Sequence, residues 1–150
     1  MKPTFSIFTA ALITANFVAT APAFCANMDS LPPEMKQGEV SFVTGGIGKN
    51  EAMAFRHDAK NFPLEMEFVM KDKPKDAFLA DVKVIIRNQA GKAVLNTMSR
   101  GPFLLATLPP GKYNITANID GAVKHETVNV DAHKHERTLL VWPNTTRLNS

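Results

Sequence analysis

The amino-acid sequence predicts a mainly β protein, an antiparallel β-sandwich of about seven to eight strands with one short helix near its N-terminus. The first supporting observation is that short segments from Glu39 onwards alternate apolar and polar residues, as half-buried strands do. The second is that turn signals containing Gly or Pro separate these segments at intervals of ~8–12 residues. The third is that one segment lacks this alternation and instead begins and ends with helix signals.

An export signal is predicted at the N-terminus. Lys2 is followed by an apolar run over residues 5–18 and then by small residues, which is the layout of a cleaved secretory signal peptide. The run is shorter than the ~20 apolar residues that span a membrane. Cleavage after Ala23 or after Cys25 fits the small-residue rule, so residues 1–25 are assigned to the signal peptide. We therefore expect a periplasmic protein whose mature chain has no transmembrane segment.

The composition restricts the partners and the stabilising chemistry. Cys25 is the only cysteine, so the mature domain has no internal disulfide and depends on its apolar core. The chain carries 17 Lys and Arg against 14 Asp and Glu, a formal net charge of +3. This small excess is not typical of a nucleic-acid-binding domain, and export separates the protein from nucleic acid. No nucleic-acid partner is therefore expected.

The rest of the chain divides into three parts. Residues 26–37 contain Pro32 and Pro33 and show little periodicity, which predicts an N-terminal linker. Residues 38–143 carry the regular pattern and form the predicted domain, which is long enough for one hydrophobic core. Residues 144–150 form a polar tail.

The domain begins with a strand and the predicted helix. Glu39–Gly45 is rich in Val, Phe and Thr, which is typical of a strand. After a Gly-rich turn, residues 50–62 are predicted to be helical, with Asn50 as the N-cap and Glu51 in the first turn. Pro63 cannot continue the helix, so the helix ends before it.

The next segments have the strict alternation of strands. In Leu64–Met70 the apolar residues share one face, and Glu65 and Glu67 share the other, which predicts a strand with both glutamates in solvent. Asp81–Asn88 is the following strand, and a turn containing Gly leads to a return strand over residues 93–98.

Four more strands are expected in the C-terminal half. Gly101–Leu108 is short, and Tyr113–Ile119 alternates again before Asp120-Gly121, the strongest hairpin signal in the chain. The partner strand, Val123–Val130, loses its apolar alternation midway, so we expect a β-bulge or an exposed sheet edge there. Glu136–Trp142 closes the domain.

Three turn features of the C-terminal half occur together. They are the turn Asn88–Gly91, the run Leu108-Pro109-Pro110-Gly111-Lys112-Tyr113, and Gly121 after a strand. With these features, residues 81–130 resemble the carboxypeptidase regulatory-like domains, which are transthyretin-like (prealbumin-like) β-sandwiches of Ig-like architecture. The stretch from the Gly-rich turn to Pro63 also looks like small exported bacterial proteins that carry such a domain. The resemblance implies a fold and a compartment, and it implies no activity.

The Gly-rich turn at residues 43–50 raises the question of a phosphate-binding loop. A Walker A loop needs Gly, any four residues, and then Gly-Lys-Ser/Thr. Here Val43 stands at the first glycine and Asn50 at the hydroxyl residue. Glu51 occupies the third glycine position of a dinucleotide fingerprint. We therefore interpret the stretch as a structural turn between a strand and a helix.

The histidines are the candidate metal ligands. His133 and His135 alternate after Asp131, so on a strand the three side chains share a face, with His125 across the hairpin. Imidazoles with a carboxylate bind zinc or copper. The segment joins two strands, however, and a solvated turn does not hold ligands rigidly. The favoured interpretation is that the protein has no metal site and no cofactor, with His125, His133 and His135 as weak candidates.

No catalytic constellation can be placed by spacing. Among transthyretin-like folds, the hydroxyisourate hydrolases end in Tyr-Arg-Gly-Ser, whereas this chain ends Arg147-Leu148-Asn149-Ser150. The prediction is a non-catalytic module that binds an envelope protein or a small ligand, with the edge near residues 123–130 as one pairing surface. Two alternatives stay open: periplasmic copper or zinc binding through His133 and His135, and a small hydrolase of transthyretin-like fold.

Overall fold

A computed structural model describes residues 30–144, which form two β-sheets and one short helix. The predicted signal peptide, residues 26–29 of the predicted linker and residues 145–150 of the tail lie outside this range. In chain order the elements are β1 (Met35–Gln37), β2 (Val40–Gly45), α1 (Lys49–Asp58), a 3-10 turn (Ala59–Asn61), β3 (Leu64–Met70), β4 (Ala77–Phe78), β5 (Val82–Arg87), β6 (Ala93–Ser99), β7 (Phe103–Thr107), β8 (Gly111–Ile119), β9 (Ala122–Val130) and β10 (Glu136–Trp142).

The strands divide into a six-stranded sheet A and a four-stranded sheet B. Sheet A has the order β1-β2-β7-β3-β10, with β4 beside β3, and sheet B has the order β6-β5-β8-β9. The mainly β prediction with one short helix is confirmed. No helix within residues 30–144 has the length and apolar character needed to cross a bilayer.

The main core lies between the two sheets. Alternation directs Val84 and Ile86 of β5 towards Leu64 and Met66 of β3, and all four side chains are fully buried. Trp142 on β10 is also buried in this cluster, and its indole N–H donates to the Ala122 carbonyl at 3.0 Å. This bond ties one edge of sheet A to the first residue of the edge strand of sheet B.

A second, smaller core lies on the other face of sheet A. Helix α1 covers that face and packs Phe55 against Phe103 of β7, with ring centroids 5.7 Å apart. Val43 and Leu105 complete the contact from the strands. The central strands of sheet A are therefore buried on both faces, one against sheet B and one beneath α1.

Strand pairing corrects three expectations. The pairing is antiparallel except for β3 with β10, which run parallel in register from Leu64↔Glu136 to Met70↔Trp142. The described residues contain ten strands rather than seven to eight, because β1 and β4 were not predicted. Strand β1 falls inside the expected linker, where Met35–Gln37 pairs with β2 across a turn at Gly38. Three residues are too few to show alternation, so only the pairing reveals this strand.

The β8–β9 hairpin confirms its turn and corrects its strand. Asp120 and Gly121 have φ values of 48° and 87°, the positive values that a type I′ turn requires. The register runs without a break from Ile119↔Ala122 to Gly111↔Val130, so the bulge alternative was wrong. Strand β9 is instead the edge of sheet B. Its alternation is lost because Lys124 and Glu126 occupy the inward side near the turn.

Candidate functional site

The Gly-rich turn is filled by a side chain of the protein itself. Helix α1 begins at Lys49 with Gly48 as its N-cap, so the expected cap at Asn50 was wrong. The Glu51 carboxylate accepts a hydrogen bond from the Gly46 N–H at 2.6 Å. A carboxylate therefore occupies the place at the helix start where a bound anion would accept this bond. The interpretation of the stretch as a structural turn agrees with this geometry.

Glu65 and Glu67 are buried, which corrects the expectation that they lie in solvent. Their side chains are 7% and 9% exposed and lie on the outer face of β3, beside the neighbouring strand β10. His135 Nε2 lies 2.8 Å from Glu65 Oε2, and an Arg137 terminal nitrogen lies 2.6 Å from Glu67 Oε2. The parallel β3–β10 pair brings these groups together, and a pattern read within one strand cannot show that pairing.

Side-chain hydrogen bonds connect the members of this cluster to one another and to the backbone. His135 Nδ1 lies 2.8 Å from the Phe62 carbonyl, which can only accept, so Nδ1 carries a hydrogen. The other ring nitrogen, Nε2, is 2.8 Å from Glu65 Oε2, so both nitrogens of His135 have hydrogen-bond partners. The hydrogen bond to Glu67 and the carboxylates of Glu67 and Glu65 raise the pKa of Arg137 despite some desolvation. The cluster thus joins β10 to β3 through bonds between side chains.

The three candidate metal ligands are dispersed. His135 has both ring nitrogens engaged by Phe62 and Glu65. His125 lies on the outer face of β9, with Nδ1 at 3.3 Å from the Thr116 hydroxyl. The backbone N–H of His133 donates to the Asp131 carboxylate within the β9–β10 turn. Within residues 30–144, no group of three or more His, Cys, Asp or Glu side chains is arranged to hold a metal ion.

A groove of about 580 Å³ opens where the β1–β2 turn approaches the β5–β6 turn. Glu39, Lys92 and Tyr113 are among its lining residues. The Tyr113 hydroxyl donates to the Pro109 carbonyl at 2.7 Å, so its polar end is already used. Burial, followed by the Glu39 carboxylate, raises the pKa of the phenol. The groove therefore offers few unsatisfied polar groups that converge on one point.

The outer face of sheet B is a polar surface formed by four strands. The inward residues of these strands are buried in the main core, so alternation directs the remaining side chains outward. Helix α1 covers the corresponding face of sheet A, but no element within residues 30–144 covers this one. We call it the open face; it comprises Lys83, Ile85, Arg87, Asn96, Met98, Lys112, Asn114, Thr116, Asn118, Val123, His125, Thr127 and Asn129.

The charges on the open face have one sign. Lys83, Arg87 and Lys112 are exposed, and among the described residues none of them forms an ion pair. No Asp or Glu side chain belongs to the strand positions of this face. Asp81 lies just before β5, Asp120 lies in the β8–β9 turn, and Asp131 follows β9. Glu126, which lies on β9 itself, points to the opposite side of the strand.

The cross-strand register arranges the open face in rows. One row is Asn96, Ile85, Thr116 and His125, taken strand by strand across the sheet. In the next row Arg87 lies opposite Asn114, and Asn114 lies opposite Thr127. The Thr127 hydroxyl donates to the Asn114 amide oxygen at 3.0 Å. Cross-strand hydrogen bonds therefore orient two side-chain pairs of this surface, Asn114 with Thr127 and Thr116 with His125.

Two asparagines of the open face use only their amide oxygens in hydrogen bonds within the protein. Asn118 Oδ1 accepts the Gly121 N–H at 2.9 Å, and Asn114 Oδ1 accepts from Thr127. In both residues the acceptor end is used within the protein, and the amide NH₂ remains available. Together with the three cations, these groups make the open face a surface of hydrogen-bond donors.

Comparison with known proteins adds little to this description. No family model matches the chain, and no curated protein matches it. Among solved structures, the Bacillus anthracis TIE protein aligns with a TM-score of 0.36 and 19% sequence identity. The alignment covers 53% of this chain and 16% of that chain.

Proposed function

We propose that the chain is an exported, non-catalytic β-sandwich module of the carboxypeptidase regulatory-like, transthyretin-like type, and that it binds a component of the bacterial envelope through the open face. The shared core between sheets A and B and the Leu108–Tyr113 turn support this fold assignment. The signal-peptide pattern of residues 1–25 supports export to the periplasm. The difference between the two outer sheet faces carries the functional proposal.

The two outer faces differ in whether another element covers them and in the charges that they carry. The outer face of sheet A carries helix α1 and the cluster of Glu65, Glu67, His135 and Arg137. On sheet B, no helix or strand within residues 30–144 lies over the outer face. Exposed polar groups held in a fixed array on a rigid scaffold are typical of a binding surface.

The open face is a better candidate than the β9 edge. Strand β9 is nine residues long and has no strand on its outer side among the described residues, so it offers free backbone groups. Lys124 and Glu126, however, lie on its inward side. Inward charges on an edge strand oppose the addition of a further strand, because that strand would have to bury them. We therefore assign contact to the face rather than to strand pairing.

Lysine footprinting tests the proposal. Lys83 and Lys112 lie on the open face, and Lys60 and Lys134 are exposed lysines elsewhere in the molecule. The protein is acylated in the presence and absence of envelope fraction, and the modified positions are quantified by mass spectrometry. Protection of Lys83 and Lys112 with Lys60 and Lys134 unchanged is the expected result. Equal modification at all four positions would show that the face is not the contact surface.

The metal-binding alternative has less support. Ligation through Nε2 of His135 would break its bond to Glu65, and ligation through Nδ1 would break its bond to Phe62. Calorimetric titration with Cu²⁺ and Zn²⁺ tests it, and we expect no binding tighter than about 10 µM. Tighter binding that is lost in the double variant His133→Ala/His135→Ala would establish the metal function instead.

Among the described residues, the hydrolase alternative finds no nucleophile hydrogen-bonded to His135. The hydrogen-bond partners of His135 are a carbonyl and a carboxylate, and neither is a nucleophile that an imidazole base activates. A panel of ester, amide and ureide substrates tests this alternative. Turnover above the blank that is abolished by His135→Gln would favour a hydrolase over a binding module.

A further inference from the structure

We infer that the ligand of the open face is an acidic polysaccharide, a glycan chain whose repeating sugars carry carboxylate groups. This inference rests on the proposed binding role of the open face and adds the chemical class of the ligand. It follows from the sign of the charges, the polarity of the remaining side chains and the shape of the surface.

The charges select an anionic ligand. Lys83 and Arg87 lie on the same side of β5, and Lys112 lies on the neighbouring strand β8, close to the row of Arg87 and Asn114. The three cations therefore follow the strand direction across the face, over a distance of about 20 Å. A compact anion cannot reach all three of them. A chain that repeats its negative charge can, and Arg and Lys are the side chains that pair best with carboxylates.

The groups between the cations select sugar hydroxyls. Asn114, Asn118 and Thr116 occupy the middle of the face, and both amides have their NH₂ groups free as donors. Amides and hydroxyls are donors and acceptors of the kind that a carbohydrate hydroxyl can satisfy. A purely electrostatic surface would not need side chains with fixed amide orientations.

Two other polyanions fit the surface less well. Single-stranded nucleic acid uses aromatic side chains to stack its bases, and the open face has no Phe, Tyr or Trp. A membrane surface would favour a contiguous apolar patch, but the exposed Met98 and Val123 lie on opposite edge strands of sheet B. A polar, extended and carboxylated chain agrees with all of these features.

Equilibrium binding to defined polymers tests the inference with the chain that lacks residues 1–25. The probe is polygalacturonate, and neutral dextran, vesicles rich in phosphatidylglycerol and a single-stranded oligonucleotide are compared with it. We expect polygalacturonate to bind in preference to the other three and to weaken as the salt concentration rises. The variant Lys83→Gln/Arg87→Gln/Lys112→Gln should lose at least about tenfold in affinity for it.

A charge-matched variant gives the control. Lys60→Gln/Lys75→Gln/Lys134→Gln removes the same number of exposed cations at positions outside the open face, so it should bind within about twofold of the unmodified chain. Equal losses in the two variants would show that net charge alone drives binding and would overturn the inference. Stronger binding to vesicles or to the oligonucleotide would also overturn it.

The outcomes separate this inference from the proposed function. If polygalacturonate fails to bind but envelope fraction still protects Lys83 and Lys112 from acylation, the open face binds a different ligand and only the inference fails. If neither polymer binding nor protection is observed, both the inference and the proposed function fail.

Discussion

The buried cluster between β3 and β10 predicts that removing Arg137 is more harmful than removing Arg137 together with Glu67. In Arg137→Leu, the Glu67 carboxylate, which is 9% exposed in the unmodified protein, loses its bond at 2.6 Å. Breaking one partner of a fully buried ion pair costs about 3–5 kcal/mol. The Arg137 side chain is 58% exposed, so water replaces part of the lost interaction, and we expect a loss of about 2 kcal/mol.

The double variant Glu67→Leu/Arg137→Leu removes the unpaired charge as well. Because an apolar pair often replaces a buried ion pair without loss, we expect it to lie within about 1 kcal/mol of the unmodified protein. Urea unfolding measures both values through Trp142, the only tryptophan, which is 1% exposed when folded.

The matched control is Arg87→Leu, which removes an exposed arginine that has no ion pair among the described residues. Its expected effect on the free energy of unfolding is within about 0.5 kcal/mol. A double variant that is as unstable as Arg137→Leu, or less stable, would refute the reasoning, because the cost would then not arise from a stranded carboxylate.

Three further predictions concern the turns and the only tyrosine. Gly46→Ala places a Cβ against the Phe103 ring at a φ of 96°, whereas Gly91→Ala meets no atom within 4 Å at a φ of 80°. Backbone strain should lower the free energy of unfolding of both variants by about 1 kcal/mol. Overlap with Phe103 should lower that of Gly46→Ala by about a further 1–3 kcal/mol. Urea unfolding measures both values, and equal losses would contradict the packing of Gly46. Glu51→Ala should lower the free energy of unfolding by about 1–2 kcal/mol, because it removes the carboxylate that accepts the Gly46 N–H. Inorganic phosphate should leave the melting temperature of the unmodified protein unchanged. A clear rise in that temperature would mean that the turn binds anions. Burial and Glu39 raise the pKa of Tyr113, so its contribution to stability is fully present below the unfolded value of 10.0 and is lost as pH rises through the folded value. Because Tyr113 is the only tyrosine, near-ultraviolet absorbance follows its ionisation directly. Tyr113→Phe should remove this alkaline loss at a cost of about 1 kcal/mol from the bond to Pro109. A measured pKa at or below the ordinary value of 10.0 would contradict the prediction.

The sequence predicts local features of this fold well. The Asp120-Gly121 turn needs two positive φ values, and those residue types tolerate them. Two adjacent residues are therefore enough to predict the hairpin. The alternation in β5 and β8 likewise identifies their buried faces, because each of these strands has one face against the core.

Features that depend on pairing between distant segments were missed. Glu65 and Glu67 have the alternation of solvent-facing residues, but a parallel strand some 70 positions away covers them. The short strand β1 exists only through its pairing with β2. One weak signal for this contact is present in the sequence. Glutamates alternate at residues 65 and 67 of one strand, and His and Arg alternate at residues 135 and 137 of a later strand.

The candidate surface was missed for a related reason. A formal net charge of +3 averages over the whole chain and gives no hint of a concentrated basic face. The register of β5, β8 and β9 separates the charges, since Lys83, Arg87 and Lys112 point outward and Glu126 points inward. Only the order of the strands in sheet B shows that these outward residues form one continuous face.

The most direct test of the open face as the binding surface is an amide NMR titration of the chain lacking residues 1–25 with polygalacturonate. We expect the chemical-shift changes to concentrate on β5, β8 and β9, around Arg87, Asn114 and Thr116. Changes centred on the groove near Glu39 and Lys92, or on helix α1, would contradict it.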